Sequence, residues 1–336
     1  MGTTIYDIAH KAGVSIATVS RVLNESKRVS PGKRQAVLRA AKSLGYKPHM
    51  SARNLARRKS DVVSAVIPMM TNLFFAEVLR GLQDRLVESD YQLIVHSART
   101  LAEVDSQLER ALNRGQSDGV LLFSTPIENG RAEQLSQSGR PVVLVDSFHQ
   151  DLDSVMTDNL LGGEMATRHL ISLGYRKIAL VMANPQSRPS VDRRDGYLKA
   201  MEQAGLETPS ELIVSSKDPL HHGYSEPAGK QAMEILLSRE EVPDAVFATS
   251  DVQALGVVRA IKDAGLQVPD DIAVIGFDDI VVSRYVGLST LRQPRYEIGS
   301  TAIDKLMARI DQPTRPVSHT LFAPNLIERH TTSIPE

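Results

Sequence analysis

The amino-acid sequence predicts a small all-α domain at the N-terminus, followed by an α/β core of two lobes built on parallel sheets. The chain has 336 residues, and at roughly 150 residues per domain this length indicates about two domains. From Asp61 onward, short runs rich in Val and Ile alternate with helical patterns, which is typical of a parallel sheet covered by helices. The charge is divided in the same way: the first 60 residues hold 13 Lys and Arg against two acidic residues, although the whole chain has a net charge of −1.

The composition excludes several classes of protein. No cysteine occurs in the chain, which excludes disulfide scaffolds, thiolate zinc sites, iron–sulfur clusters and cysteine nucleophiles. No run of about 18 apolar residues occurs, so we predict no transmembrane helix and no membrane partner. Asp7 and His10 lie where a signal peptide would have its apolar stretch, and we therefore expect a cytoplasmic protein.

Capping residues and apolar spacing predict three short helices near the N-terminus. Thr4 can cap the first helix, with Asp7 as the reciprocal carboxylate, and Gly13 ends this helix. Ser15 can cap the second helix, and Ser30, which is followed by a proline, can cap the third. The apolar stripes of the three helices are predicted to be Ile5, Ile8 and Ala9; Val19, Val22 and Leu23; and Val37, Leu38, Ala41 and Leu44.

The first two helices and the short turn between them match a helix-turn-helix unit, whose second helix enters the major groove of DNA. The basic block around them is suited to neutralising phosphates. The alternative is a generic small helical bundle with a solvated basic face. The positions of the second helix that we expect to face DNA are Ser15, Ile16, Ala17, Thr18, Ser20 and Arg21. Their small side chains allow close approach to bases, and Arg21 can fork onto guanine.

The residues from 61 onward form repeated strand–helix units. The predicted strands are the apolar runs at 62–67, 91–96, 119–123, 141–145, 177–182, 211–215, 245–249 and 272–277. Their hydrophobicity is continuous, which predicts strands that are buried on both faces of a sheet. The helices between them end at glycines, namely Gly139, Gly174, Gly205 and Gly265. There are too many units for one open sheet of normal size, so we divide them into two similar lobes.

Signatures of catalysis and of cofactor binding are missing from the sequence. There is no G-x-S-x-G, no G-x-x-x-x-G-K-[ST], no H-E-x-x-H and no G-x-G-x-x-G after a strand. His221 and His222 are adjacent instead of one helical turn apart, which disfavours a shared metal ion. We therefore predict that the chain is not an enzyme and has no catalytic residue, no cofactor and no metal site.

Asp278 and Asp279 follow the predicted strand at 272–277. Adjacent residues of a strand point to opposite faces, so we do not expect the two carboxylates to work as an acid–base pair. One of them can instead face a cleft at the C-terminal edge of the sheet, where open α/β folds bind ligands. We take Asp278 as the residue that faces this cleft.

The helix-turn-helix segment closely resembles the opening signature of the lactose/galactose-repressor (LacI/GalR) family of bacterial transcriptional regulators. The matching residues are TIYDIAxxAGVSxATVSRVLN at 4–24, Leu44-Gly45-Tyr46-x-Pro48 and Ala52-Arg53-x-Leu55. In that family the last stretch is a hinge helix on operator DNA, and the matching Leu55 would insert into the minor groove. His49 departs from the family, which usually has Asn at this position to cap the hinge helix.

The rest of the chain resembles the periplasmic-binding-protein-like core of the same family. The matching motifs are Pro68 with Phe74-Phe75-Ala76-Glu77, Asp158-Asn159, LGYRKI at 173–178, Ser250-Asp251, IGFDD at 275–279 and LRQP at 291–294. The resemblance implies a helix-turn-helix domain at 1–46, a hinge at 47–59 and an effector-binding and dimerisation core at 60–336. It further implies chain crossings near 159–161, 290–293 and 320–323. The N-lobe would then comprise about 60–160 and 291–320, and the C-lobe about 161–290 and 321–336.

The resemblance also implies which residues bind. The DNA-binding residues would be Thr4, Ser15, Ile16, Ala17, Thr18, Arg21, Asn24, Ser30, Arg53 and Leu55. The effector-binding residues would be Phe75, Asp146, Arg193, Tyr224, Ser250 and Asp278. Arg193 and Asp278 match an effector-binding arginine and aspartate, and Tyr224 matches a ring that lies against the ligand. Ser250 stands where the family commonly has Asn, so one amide partner of the ligand is lost.

Together these features predict a sequence-specific DNA-binding transcriptional regulator, a repressor, that binds a palindromic operator as a homodimer. Its recognition residues resemble those of members that read palindromes with a central CG step. Arginine, aspartate and a ring suit a small polyhydroxylated effector, with a sugar as the first choice and a nucleoside or purine as the alternative. A further alternative is a phosphocarrier protein as co-regulator, and the least favoured is a sugar-binding protein without a role on DNA.

Overall fold

The structure, a computed structural model, describes residues 3–23, 28–46, 59–113, 116–185, 187–215 and 223–333. The chain forms two compact units. The N-terminal unit comprises Met1–Val62 with Asn113–Asp118, and the core unit comprises Val63–Leu112 with Gly119–Glu336. Residues 47–58, which make up nearly all of the expected hinge, lie outside the described residues.

The described part of the N-terminal unit contains helices α1 (Ile5–Ala12), α2 (Ile16–Leu23) and α3 (Pro31–Ser43). The capping box that the sequence predicts is present at the start of α1. The Thr4 amide donates to Asp7 Oδ2 at 2.8 Å, and the Asp7 amide donates to Thr4 Oγ1 at 3.4 Å. Gly13 ends α1 with a φ of 64°, a left-handed conformation that glycine adopts without steric cost. The predicted helix, turn and second helix are therefore formed.

These helices enclose a small apolar core. Its buried members are Ile8, Ala9, Val19, Val22, Val37, Ala40 and Ala41. Leu38, which we expected inside, is 50% exposed, and the prediction is wrong at this residue. Val37, Ala40 and Ala41 form an i, i+3, i+4 stripe, whereas Leu38 lies about 100° around the helix from Val37.

The core unit is built on two sheets covered by helices. Its strands are β1 (Val62–Pro68), β2 (Gln92–Ala98), β3 (Gly119–Phe123), β4 (Val142–Val145), β5 (Asp153–Thr157), β6 (Ile178–Met182), β7 (Ile213–Ser215), β8 (Ala245–Ala248), β9 (Ala273–Asp278), β10 (Ser289–Arg292), β11 (His319–Phe322) and β12 (Asn325–Ile327). Its helices are α4 (Phe74–Val87), α5 (Leu101–Leu112), α6 (Asn129–Gln137), α7 (Asn159–Ser172), α8 (Arg188–Gln203), α9 (Glu226–Leu237), α10 (Asp251–Asp263), α11 (Val281–Tyr285) and α12 (Arg295–Asp311).

The strand order divides the core unit into two lobes. One sheet has the order β11-β5-β4-β3-β1-β2, and the other has the order β12-β10-β9-β8-β6-β7. We call them, with their helices, the first lobe and the second lobe. Neighbouring strands run parallel, as in β1–β3 and β8–β9, whereas β10 and β12 are antiparallel. The chain passes from one lobe to the other between β5 and β6, between β10 and β11, and between β11 and β12.

Helices cover both faces of each sheet. In the first lobe, α4 and α12 pack on one face through Val78, Leu82 and Ile298, and α5 and α6 pack on the other through Leu108 and Leu135. In the second lobe, α7 and α8 lie on one face, and α9 and α10 lie on the other. The predicted fold class, a helix-turn-helix domain with a two-lobed α/β core of parallel sheets, is therefore confirmed. No helix within the described ranges is long and apolar enough to cross a membrane.

Each predicted apolar run contains a strand, although the run at 211–215 is a strand only over Ile213–Ser215, and two of the strands, β2 and β7, are not buried along their whole length. The central strands β1, β3, β4, β6, β8 and β9 are buried along their whole length. Strand β2 carries exposed residues along its length because it lies at the edge of its sheet and has one neighbouring strand. The sequence reading missed β5, β10 and β11, which are short and contain polar residues such as Asp153, Ser289 and His319.

Two glycines set the distance between α7 and α8. A Cβ atom on Gly163 of α7 would lie 2.8 Å from the carbonyl carbon of Arg193, and a Cβ atom on Gly196 of α8 would lie 2.6 Å from the amide nitrogen of Glu164. Side-chain atoms do not fit at such distances in a close-packed interior. The backbones of the two helices are therefore in contact at Arg193, which fixes where this side chain starts.

Candidate functional site

A cavity lies between the two lobes of the core unit, at the C-terminal ends of their parallel strands. Its empty space is about 620 Å³, including the solvent at its mouth. Its lining residues are Met69, Asn72, Phe74, Phe75, Ser124, Pro126, Asp146, Ser187, Pro189, Arg193, Tyr224, Asp278 and Gln293. This is the edge at which open α/β sheets bind small molecules.

Arg193 projects from α8 and is held in place by the second lobe and the crossover. Its Nε donates to Asn159 Oδ1 at 2.9 Å, and its Nη1 donates to the carbonyl oxygen of Thr249 at 2.6 Å. The guanidinium carbon lies 3.7 Å from the centroid of the Phe277 ring, a distance at which the ring face attracts a cation. Only 3% of the residue is exposed, so Arg193 is a rigid, desolvated positive charge at the wall of the cavity.

Asp278 ends β9 and is buried opposite Arg193. Gln293 Nε2 donates to Asp278 Oδ1 at 2.6 Å. Burial raises the pKa of Asp278 to about 7, although the positive charge of Arg193 acts in the other direction. The neighbouring Asp279 points away from the cavity and forms ion pairs with Arg292 and Arg329, at 2.7 and 2.6 Å. The two carboxylates therefore have separate roles, as the strand geometry predicts.

Asp146 supplies a second carboxylate, from the first lobe. It follows β4 and accepts a hydrogen bond from Ser124 Oγ at 2.9 Å. Burial raises the pKa of Asp146 to about 6, against the opposing effect of Arg193. The cavity thus has a carboxylate in each lobe, with Asp278 buried and Asp146 half-buried, and the charge of one guanidinium acts on both.

Aromatic side chains form the apolar walls. Phe75 of α4 is buried and packs edge-on against Phe74 and Phe123, with ring centroids 5.2 and 6.0 Å away. On the opposite side, the Tyr224 hydroxyl shares a hydrogen bond of 2.8 Å with Ser187 Oγ. Burial raises the pKa of Tyr224 to about 12, which keeps the ring neutral. These walls can hold the apolar face of a ligand while its polar groups face the carboxylates.

Four of the lining residues have backbone conformations that are uncommon for residues other than glycine. The φ angles are 56° at Met69, 43° at Ser124, 54° at Asp146 and 122° at Asp278. All four lie at the C-terminal end of a strand. Such conformations cost about 1–3 kcal/mol each and cluster where a binding site constrains the chain.

The structure brings together five of the six residues that we expected in the cleft: Phe75, Asp146, Arg193, Tyr224 and Asp278. Ser250 is not among the lining residues. Its hydroxyl caps α10, accepting from the Gln253 amide at 3.3 Å, and it contacts Gln253 Oε1 at 3.2 Å. Ser250 is 2% exposed, so its side chain is used within the second lobe.

Sequence reasoning missed several polar lining residues, among them Asn72, Ser124, Ser187 and Gln293. A signal was available for Ser124, which follows the apolar run at 119–123 and so lies at a strand end. Gln293 follows β10, a strand that the apolar pattern did not reveal. The described residues contain no group of three or more His, Asp or Glu side chains that could hold a metal ion.

The N-terminal unit presents the expected face of α2 to solvent. Ser15, Ile16, Ala17 and Arg21 are exposed, and Thr18 is half-buried. Ser15 Oγ and Thr18 Oγ1 share a hydrogen bond of 3.0 Å at the start of the helix. Thr4 and Ser30 are also exposed, at the starts of α1 and α3. The other expected contacts, Asn24, Arg53 and Leu55, lie outside the described residues, as do His49, His221 and His222.

Comparison with known proteins assigns both units. Residues 4–49 match the family model of bacterial regulatory proteins, lacI family, and residues 167–332 match the model of the periplasmic binding protein-like domain. The ribose operon repressor of Escherichia coli (strain K12) is 35% identical over 331 residues, which cover 97% of this chain and 98% of that protein.

Two solved structures extend over almost the whole chain. The transcriptional regulator CelR in complex with cellobiose has 30% sequence identity and a TM-score of 0.74, covering 98% of this chain and 99% of that one. The lac repressor dimer bound to operator and the anti-inducer ONPF has 26% identity and a TM-score of 0.82, covering 99% of each chain.

Proposed function

The chain belongs to the lacI family of bacterial regulatory proteins and is a DNA-binding regulator of transcription; from this premise we propose that it is a homodimeric repressor controlled by a small polyhydroxylated effector. The effector would bind in the cavity between the lobes, and the operator would bind the exposed face of α2. In this proposal the protein acts in the cytoplasm, where DNA is, and it binds its effector without converting it. The boundaries that we propose are 1–46 for DNA binding, 47–59 for the hinge and 60–336 for the core.

One observation carries the effector site: the buried Asp278 and Arg193 and the half-buried Asp146 converge on a single cavity. Charged groups are rarely buried unless they are paired or have a ligand to meet. Carboxylates accept hydrogen bonds from hydroxyl groups, and the rings of Phe75 and Tyr224 can cover the apolar face of a sugar. A sugar fits this arrangement best, and the related CelR structure contains cellobiose.

A nucleoside or purine is the second candidate effector. The flat walls at Phe75 and Tyr224 favour it, because a planar base can lie against aromatic rings. The third candidate, a phosphocarrier protein as co-regulator, rests on family membership alone.

The operator surface is supported by the exposure of small residues and one arginine on α2. Ser15, Ile16 and Ala17 are exposed at its start, where helix-turn-helix proteins approach base edges, and Arg21 follows one turn later. One such unit covers a half-site, so a palindromic operator requires two chains related by a two-fold axis. The related lac repressor structure is a dimer on its operator.

Control of DNA binding by the effector follows from where the cavity lies. A ligand held by Arg193 and Asp278 in the second lobe, and by Asp146 in the first, favours one relative position of the lobes. A ligand shifts an equilibrium between two conformations by its difference in affinity for them. We propose that these two arrangements of the core have different affinities for the operator.

The test compares Arg193 with its neighbour Arg194, which pairs with Asp195 at the protein surface. An operator is first selected from random DNA duplexes, and its affinity is measured with and without each sugar or nucleoside. We expect Arg193→Ala to abolish the influence of the effector and to change ligand-free operator affinity by no more than about twofold. Arg194→Ala should retain the influence of the effector.

A different result would contradict the proposed role of Arg193 in effector binding. If Arg193→Ala lowers the melting temperature and operator affinity together, its contacts with Asn159 and Thr249 serve stability instead of effector binding. Tyr224→Phe provides an independent check, since it removes one hydroxyl and leaves the ring in place. We expect this variant to keep operator affinity and to bind the effector more weakly.

A further inference from the structure

Three polar side chains of the cavity lining present hydrogen-bond acceptors: Asp146, Asp278 and Gln293. Asp146 and Asp278 each accept one side-chain hydrogen bond, from Ser124 and Gln293. Gln293 Oε1 is buried and has no partner among the described residues. An ionised carboxylate has about four acceptor sites and no donor. Asp146, Asp278 and Gln293 therefore offer acceptors to a ligand. The amide of Asn72 and the hydroxyls of Ser187 and Tyr224 also line the cavity and can donate.

Arg193 is the basic residue of the described lining, and two of its five N–H donors are used within the protein. Nε donates to Asn159 and Nη1 donates to Thr249, while the face of the guanidinium lies on Phe277. An arginine binds a phosphate or carboxylate by forking two nitrogens onto it. Asn159 takes the single N–H of Nε, which removes the fork of Nε with Nη2, and Thr249 takes one of the two N–H groups of Nη1.

The charges around the cavity are negative in balance. Burial raises the pKa values of Asp146 and Asp278, and the nearby carboxylates of Asp192 and Asp251 raise them further, whereas Arg193 lowers them. Burial is therefore the main reason that both acids resist ionisation, and the positive charge of Arg193 does not offset it. An anionic ligand would add a further negative charge to this desolvated space.

A second guanidinium does not change this balance at the cavity wall. The charge of Arg295 also acts on Asp278, but Arg295 is not a lining residue. Its Nη2 donates to the carbonyl oxygen of Asp279 at 2.7 Å, and its Nη1 donates to that of Leu73 at 3.4 Å. Arg295 therefore links the two lobes, and its Nε, which is buried without a partner among the described residues, does not line the cavity.

Building on the proposed effector site, we propose that the cavity binds an electrically neutral free sugar and rejects sugars that carry a phosphate or a carboxylate. The hydroxyl groups of the sugar donate to Asp146, Asp278 and Gln293 Oε1, which satisfies the acceptors of the wall. A phosphate would have to give up its hydration beside two carboxylates, and the one guanidinium of the described lining already donates to Asn159 and Thr249. The proposed effectors are thereby restricted to sugars that carry no charged group.

The test uses matched pairs of probes that differ by one phosphate. D-Ribose is compared with D-ribose 5-phosphate, D-glucose with D-glucose 6-phosphate, and cellobiose with its 6-phosphate, by calorimetric titration of the full chain. In at least one pair we expect the neutral sugar to bind more tightly than its phosphate by about tenfold or more. The double variant Asp146→Asn/Asp278→Asn keeps the side-chain shapes and removes both charges. Its preference for the neutral sugar over the phosphate should be at least about fivefold smaller than that of the unmodified chain. Melting temperatures without ligand check that each variant is folded.

Three results would overturn the proposal, and they can be told apart. If a phosphate ester binds as tightly as its parent sugar, and Arg193→Ala abolishes this binding, the effector site stands and the proposed charge selectivity is wrong. If the preference for the neutral sugar survives in the double variant, the carboxylates are not its cause. If none of the six probes binds, or binding is unchanged in Arg193→Ala, the proposed function fails and this proposal fails with it.

Discussion

Arg193 and Arg194 are adjacent in α8, yet their side chains lie in opposite environments. Arg193 is buried and contacts Asn159, Thr249 and Phe277, whereas Arg194 pairs with Asp195 and is partly exposed. Neighbouring helical residues differ by about 100° around the axis. A shift of one residue along α8 therefore moves a side chain from the cavity wall to the protein surface. The close contact at Gly163 is the packing that decides which arginine is inside.

Arg21 is the residue of the N-terminal unit that can read a base most directly. We expect Arg21→Ala to cost about 1–3 kcal/mol of operator binding and to relax specificity at one base position. Lys33 is an exposed residue near the start of α3, within the basic block that we expect to neutralise phosphates. Lys33→Ala should weaken binding to all sequences alike, because a lysine that meets phosphate carries no sequence information. Titration of both variants against the operator and a random duplex checks this. A loss in Arg21→Ala that is equal for both duplexes would show that Arg21 does not read a base.

Asp278 should make the stability of the folded chain depend on pH. Its pKa is raised from 3.8 to about 7, chiefly by burial. The folded chain then retains a proton that the unfolded chain has lost, so the free energy of unfolding falls as the pH rises through this interval, and it levels off above it. Asp278→Asn removes this loss of stability with rising pH, and we expect the variant to be more stable than the natural chain at pH 8 by on the order of 1 kcal/mol.

Thermal unfolding between pH 5 and pH 8, without ligand, measures this effect. The difference in melting temperature between Asp278→Asn and the natural chain should amount to a few degrees at pH 8 and should shrink towards pH 5. If the variant is the less stable protein at pH 8, the charge of Arg193 outweighs the cost of burying the ionised carboxylate.

At the scale of elements, the contact between α7 and α8 positions Arg193. Gly163→Ala would place a methyl group against the backbone of Arg193, and we expect a loss of about 1–3 kcal/mol in stability together with weaker effector binding. Gly130→Ala in α6 is the matched control, since nothing lies within 4 Å of the added methyl group. Thermal unfolding and effector titration measure both effects. Equal stability of the two alanine variants would show that the helices can move apart at no cost.

Elements with a strong pattern could be predicted from the sequence, and those without one could not. The buried central strands stand out because both of their faces are apolar, and α1 stands out because Thr4 and Asp7 cap it. Strand β5 begins with Asp153, which pairs with Arg309 at 2.8 Å, and β10 begins with Ser289 and Thr290. Tertiary partners satisfy these polar groups, so the local sequence carries no apolar signal for either strand.

The candidate site was predictable to the extent that its residues match a motif or follow a recognised strand. Strand geometry indicated that one of Asp278 and Asp279 faces the cleft, and the resemblance to the family pointed to Asp278. Ser250 also follows a strand, but its hydroxyl caps α10. The sequence does not reveal whether a serine at such a position lines the cavity or caps the next helix. Gln293 was not predicted because its role depends on a contact with Asp278, 15 residues away along the chain.

At the scale of the whole molecule, we expect a dimer that forms without DNA. A palindromic operator requires two copies of α2 related by a two-fold axis, and the core is the part of the chain that we expect to hold them together. Light scattering of the full chain without DNA should give twice the 36.8 kDa of one chain. A monomer at micromolar concentration would contradict this assembly.

The central claim is that effector and operator are coupled through one protein. The most direct measurement compares two ratios: the operator affinity with and without effector, and the effector affinity with and without operator. Coupling is reciprocal at equilibrium, so we predict that the two ratios are equal and lie between about 5-fold and 150-fold, corresponding to about 1–3 kcal/mol. An effector that binds with the same affinity in the presence and absence of operator would contradict the claim, because the cavity would then have no influence on DNA binding.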